Sequence, residues 1–187
     1  MINRLMKRNA VPGLLAAAMA VLSVCGCGTD PQSFAGQRII FPEQGCRWKF
    51  FGRDTAGFVR GDRPAILIYY DSRGCTPCRL KELHNWKPVI GRIRRDSLDV
   101  DIIPVFNVRE DDNDLLIALR SADFDLPILC DADGGLEKRN RIPRAPVYQT
   151  FLLDRRDRVV LVGTPVYNPV LLKAYIDKID EMAHSGR

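Results

Sequence analysis

Residues 64–80 read PAILIYYDSRGCTPCRL, and this order of residue types constrains the fold more than any other stretch. PAILIYY is a short apolar run, opened by proline and closed by the turn residues DSRG, with no charged position to mark a wet face. Such a run reads as a strand buried on both sides, the kind found in sheets covered by helices. Beyond the cysteines, Leu80, Leu83, Trp86, Ile90 and Ile93 recur every three or four residues, the period of a helix that buries one stripe. Pro88 falls inside that stretch and is expected to bend the helix or end its first half. Cys75 and Cys78 therefore stand where the carboxyl end of a strand passes into a helix, the edge at which α/β proteins build their sites.

The remaining segments extend the same alternation. RIIFP (38–42) and WKFFG (48–52) read as early strands, and DTAGFVRGDR (54–63) as a turn-rich connection. VDIIPVFNV (100–108) is the next strand, DDNDLLIALRSAD (111–123) a helix with acidic residues at its start, and LPILCD (126–131) a short strand or extended segment. QTFLLDRRDRVVLVG (149–163) reads as a β-hairpin around a charged turn. The final helix has Asn168 as cap and Pro169 at its first position, with Leu172, Tyr175, Ile176, Ile179 and Met182 as its apolar stripe. A strand–helix–strand unit forces a right-handed crossover and a parallel pair, and the hairpin adds antiparallel strands, so the sheet is mixed.

A thiol at a helix start meets unpaired backbone N–H groups and the positive end of the helix dipole, both of which favour thiolate. Cys75 precedes the helix and takes the attacking role. Cys78, one turn inward, is spaced to reach back to the same sulfur and resolve a mixed disulfide. Pro77 lacks an N–H and presets the first helical turn, and with Thr76 it shapes both the dipole and the redox potential. Two other readings stay open at this point. Zinc needs a second ligand pair, and Cys46, Cys130, His84 and His184 have no matching spacing. A permanently oxidised crosslink forms readily across so short a loop, although it gains little loop-closure entropy. Cys46 and Cys130 form a second disulfide only if their Cα atoms come close enough; Cys130, in an apolar segment, reads more simply as a buried small residue.

The N-terminus sets the compartment. Arg4, Lys7 and Arg8 precede an apolar run from about Val11 to Val24, too short to span a bilayer and of the form of an export signal. It ends at LSVCGC, which resembles a lipobox, where cleavage precedes a cysteine that carries diacylglycerol. Gly26 before the cut favours Cys27 as the lipidated residue over Cys25. The expected layout is a signal at 1–26, a tether at 27–36 and one domain at 37–187. Removing the signal takes three basic residues and no acidic ones, lowering the formal net charge from +5 by three to +2, too little to imply a nucleic-acid partner. A chain held outside the cytoplasm by lipid sits in an oxidising space, expected to be the periplasmic side of a bacterial membrane.

AILIYYDSRGCTPCRL and YQTFLLDRRDRVVLVGTP together resemble the TlpA/ResA-type thiol-disulfide oxidoreductases of the thioredoxin-like fold. The resemblance implies an α/β three-layer sandwich, a mixed central sheet flanked by helices. It implies no cofactor and no metal, protein thiol/disulfide clients, a membrane electron donor and a reductive direction. It also implies a proline facing the cysteines and binding client backbone. Counting back from TFLLD puts Tyr148 or Gln149 there, whereas Pro146 offers the X–Pro bond suited to a cis peptide. Pro146, Tyr148, Gln149, Thr76 and Pro77 are thus the expected client-binding residues. The chain departs from the family at Gly74, where a tryptophan is usual; at Tyr69, where thioredoxins bury an acid; and at Leu83, where a proline is frequent. With no acid at 69, proton handling for Cys78 falls to Asp71, Glu82 or water. The second reading that these departures support is a binding or scaffold lipoprotein with an inert Cys75–Cys78 bridge. A peroxidase reading lacks the P-x-x-x-T-x-x-C context around Cys75.

Overall fold

The structure is a computed structural model, and it describes residues 31–42, 46–50, 53–57, 59–74, 76–108, 117, 119, 121, 124 and 126–184. Its centre is β3 (Ala65–Tyr70), all six residues of which are buried. The even-numbered Ile66, Ile68 and Tyr70 enter one apolar cluster and the odd-numbered Ala65, Leu67 and Tyr69 enter another, so β3 has core on both faces. That is the reason its sequence shows no polar alternation.

Around β3 the described residues form a seven-stranded sheet in which β1 (Cys46–Phe50) and β2 (Arg53–Gly57) lie at one edge, in the order β2-β1-β5-β4-β3-β6-β7. β4 (Asp101–Phe106) pairs parallel with β3, and β5 (Ile128–Asp131) parallel with β4. β6 (Thr150–Leu153) and β7 (Val159–Val162) add the antiparallel hairpin on the other side. The expected mixed sheet is therefore present. Asp154 organises the hairpin turn by accepting the N–H groups of Arg156 and Arg158, each at 2.8 Å.

One face is covered by α1 (Thr76–His84), α2 (Lys87–Arg95) and α4 (Pro169–His184), through Leu83, Trp86, Val89, Ile90, Ile93, Tyr175 and Ile179. Asn168 caps α4 by accepting the Leu171 N–H at 3.0 Å. The expected break near Pro88 is real: the chain leaves α1 in a tight turn at Asn85 and Trp86, and Pro88 sits in the first turn of α2. The opposite face is closed by α3 (Gly135–Asn140), Ile142 and the segment carrying Phe34 and Ile39. Among the described residues no helix is long and apolar enough to cross a membrane.

Three expectations change. RIIFP is not a strand: only Arg38 forms a bridge, to Arg158. Its backbone is satisfied by a side chain instead, because Asn140 accepts the Ile40 N–H at 2.7 Å and donates to the Ile40 carbonyl at 2.9 Å. The stretch expected to be turn-rich contains β2 (Arg53–Gly57), an edge strand held by its backbone ladder to β1 (Cys46–Phe50) rather than by apolar alternation. α3 falls where no element was expected; Asp131 starts it by accepting the N–H groups of Gly135 and Leu136 at 2.8 and 2.9 Å. Ahead of residue 37, Pro31–Phe34 form a 3-10 turn with Phe34 buried. The helix expected at 111–123 lies mostly outside the described residues; Ile117, Leu119 and Ser121 are helical.

Candidate functional site

At the carboxyl end of β3 the chain turns at Asp71–Gly74 and enters α1 at Thr76. Asp71 makes the turn itself, its carboxylate accepting the Arg73 N–H at 3.0 Å two residues on. Cys75 lies outside the described residues. Cys78 stands in the first turn of α1 and is exposed. No acidic residue occupies that turn to offset the positive end of the helix dipole. The backbone of Thr76 and Pro77 opens the helix, while their side chains, like Cys25 and Cys27, lie outside the described residues.

Asp71 is the organising group. Its side chain is 2% exposed and meets donors from three directions. Arg73 donates through Nε at 2.9 Å and Nη2 at 2.6 Å, Arg79 through Nη2 at 2.7 Å, and Gln149 through Nε2 at 2.8 Å. Burial pushes the Asp71 carboxyl up, but the Gln149 and Arg73 hydrogen bonds and the Arg79 charge outweigh it, holding the group below its ordinary range. Asp71 is thus a fixed anion rather than a proton carrier.

The network continues inward. Arg73 also pairs with Glu137 at 3.1 Å, and Glu137 accepts from the Tyr69 hydroxyl at 3.3 Å. Asn107 donates to the same hydroxyl at 3.4 Å. Burial and the Glu137 charge both push the Tyr69 phenol up, so it stays neutral. At the position where a buried acid was missing from the sequence, Tyr69 hands the contact on to a carboxylate from α3. Glu137, Asn107 and Arg79 were not singled out from the sequence. Only the flanking of the cysteine pair by Arg73 and Arg79, with Asp71 just ahead, signals part of this cluster.

Gly74 follows from the same geometry. A Cβ there would overlap the Arg79 guanidinium, with Nη2 at 2.5 Å and Cζ at 2.6 Å. The tryptophan usual at this position in the resembling family is excluded while Arg79 holds Asp71.

A groove of about 270 Å³ runs beside α1, between β3, the Pro146–Gln149 segment and the loop after β7. Pro146 lines it and opens a 3-10 turn through Tyr148. Val147 and Gln149 also line it. Gln149 is 2% exposed, and its amide is committed to Asp71 and to the Pro143 carbonyl, the latter at 3.0 Å. Tyr148 is exposed. Tyr167, which also lines the groove, is 84% exposed.

The other candidates separate from this site. Cys46 is opposite Asp131 in the β1–β5 register, whereas Cys130 is the next residue along β5 and points to the other sheet face. They belong to different core clusters, so no disulfide joins them. Burial and the adjacent Asp131 push the Cys46 thiol up to about 12. His84 is exposed at the end of α1 and Trp86 is buried in the core. Among the described residues no three His, Cys, Asp or Glu side chains are grouped to hold a metal ion.

Comparison with known proteins adds the fold. No family model matches the chain, and no curated protein matches it. Solved structures do match. AhpC of Enterococcus faecalis is 14% identical with a TM-score of 0.55, covering 82% of this chain and 96% of that one. Peroxiredoxin Q of Xanthomonas campestris is 17% identical with a TM-score of 0.50, covering 71% and 90%. StoA of Bacillus subtilis is 21% identical with a TM-score of 0.47, covering 72% and 99%. With its mixed sheet between two helical layers, the chain has a thioredoxin-like fold.

Proposed function

We propose that this chain is a lipid-anchored thiol-disulfide oxidoreductase of the cell envelope that reduces disulfides in protein clients through Cys75 and Cys78. The observation that carries the reading is the placement of C-T-P-C at the junction of a fully buried strand and a helix, with Cys78 exposed in the first helical turn. The Cys75 thiolate attacks a client disulfide, forming a mixed disulfide and releasing one client thiolate. Cys78, deprotonated, attacks the Cys75 sulfur and releases the second, leaving a Cys75–Cys78 disulfide. A membrane dithiol donor returns the two electrons. The groove beside α1, the helix that carries Cys78, has Pro146, Val147 and Tyr167 in its lining and offers a client segment apolar contact.

The route of the chain supports an anchored arrangement. The N-terminal segment runs along β7 at its start, where the Gly36 N–H reaches the Val159 carbonyl at 2.8 Å. Val159 lies opposite Leu153, which lies opposite Ala65 at the start of β3. The cysteines stand at the other end of β3, about 20 Å away along a six-residue strand. The segment that would carry a lipid on Cys27 therefore joins the described domain at the pole opposite the turn that leads into α1.

The test is Cys78→Ser in the full chain expressed in an envelope. Mixed disulfides through Cys75 accumulate if the reading holds. Their absence, with a Cys75–Cys78 reduction potential below about −300 mV, would instead identify an inert bridge and a scaffold.

A further inference from the structure

We propose that Asp71 is a positioning residue that sets the redox poise of the cysteine pair by balancing two guanidiniums, one on each side of C-T-P-C. This rests on the exchange function proposed above and goes beyond it, since it names what tunes the pair in place of the missing buried acid at position 69.

Arg73 lies two residues before Cys75, and Arg79 directly follows Cys78. Both close on the one buried carboxylate of Asp71, at 2.6 and 2.7 Å. The Arg79 guanidinium passes against Gly74, the residue adjoining Cys75, so its charge lies beside the cysteine turn. Glu137 balances Arg73 a second time at 3.1 Å. Two cations and two anions therefore cancel at the base of the turn, and the Asp71 carboxylate is held ionised by its donors. Gln149 fixes the same carboxylate to the facing segment, so the balance is built into the wall of the groove.

The consequence is directional. With the cluster neutral, the helix dipole is the main element favouring thiolate. Removing the Asp71 charge leaves an excess positive charge at the Asp71–Gly74 turn that leads into C-T-P-C, which stabilises thiolate and hence the reduced pair, making it more oxidising. Removing a guanidinium leaves an excess negative charge and makes the pair more reducing. Opposite shifts from two partners of one ion pair are the signature of electrostatic tuning. A purely structural role would move both variants the same way or only lower their stability.

The experiment equilibrates the full-length protein in glutathione buffers and measures Cys75–Cys78 oxidation in wild type, Asp71→Asn, Arg79→Gln and Arg73→Gln. The reaction is protein disulfide plus two glutathione thiols giving protein dithiol plus glutathione disulfide. Asp71→Asn is expected to raise that equilibrium constant at least threefold, about 14 mV for two electrons, and Arg79→Gln to lower it by a similar factor. Arg73→Gln, on a half-exposed side chain, is expected to follow Arg79→Gln and stands in should the buried variants not fold. Arg79→Lys restores the charge and is expected to return the equilibrium toward wild type. Shifts of the same sign in the Asp and Arg variants, or none, overturn the inference while leaving the exchange function standing. A wild-type disulfide that does not exchange with glutathione overturns both.

Discussion

Arg79 reaches back across the bare Cα of Gly74 and closes on the Asp71 carboxylate at 2.7 Å. The contact joins the helix that carries Cys78 to the end of the central strand, and a Cβ at position 74 would displace the guanidinium from where it lies. Both ends of the ion pair are shielded, with side-chain exposures of 12% and 2%, so water screens it weakly.

Gly74→Ala is therefore expected to behave as a partial loss of Arg79. The added Cβ displaces the guanidinium from Asp71, and a double-mutant cycle with Arg79→Gln should show coupling of about 1–2 kcal/mol. Urea unfolding of the four proteins measures it. Additive effects would mean that Arg79 does not lean on Gly74 in solution.

Asp71→Ala is expected to cost roughly 3 kcal/mol at neutral pH, because it strands the Arg79 guanidinium and the Gln149 amide without their acceptor. The sign with pH follows from a folded-state pKa below the unfolded one. The stabilisation is fully present above the ordinary carboxylate range, near pH 4, and is lost as pH falls through the lowered folded value. The melting-temperature gap between wild type and Asp71→Asn should hold at neutral pH and narrow only as the pH falls through and below about 4. A gap that stays constant or widens on acidification contradicts this assignment.

Cys46 should resist alkylation in the native protein at about pH 8 and react only on unfolding, since its thiol is buried beside Asp131 and pushed up to about 12. Mass spectrometry after a pulse of iodoacetamide separates it from Cys78, which is exposed. Oxidants should not join Cys46 to Cys130, which face opposite sides of the sheet.

Asn140→Leu removes both hydrogen bonds to Ile40 and the one to the Leu136 carbonyl. The Ile40 backbone groups lose their partners, and a loss of about 1–3 kcal/mol is expected, read as a lower denaturation midpoint with an unchanged slope.

Much of this molecule is legible along the chain because it rests on local period and chain direction. The unbroken apolar run of β3 called for cover on both faces. The spacing of Leu83, Trp86, Ile90 and Ile93 called for a helix on one of them, and Pro88 marked the break. The position of Cys78 at a helix start follows from those two periods. What stayed hidden depends on contacts between residues far apart in sequence. β2 has no apolar alternation because an edge strand is held through its backbone. Ile40 looked like strand but finds its partners on the Asn140 side chain, 100 residues away.

The site divides in the same way. Residue order alone places two cysteines one turn apart at a strand–helix junction, since both periods are short-range and encoded in a single stretch. The charge balance around them is a product of folding: Glu137, Gln149 and Asn107 come from three other segments of the chain and meet Arg73, Asp71 and Tyr69 only once the sheet is assembled. Electrostatic energy depends on distance through space and on how much water is excluded, and neither quantity can be read from neighbours along the chain.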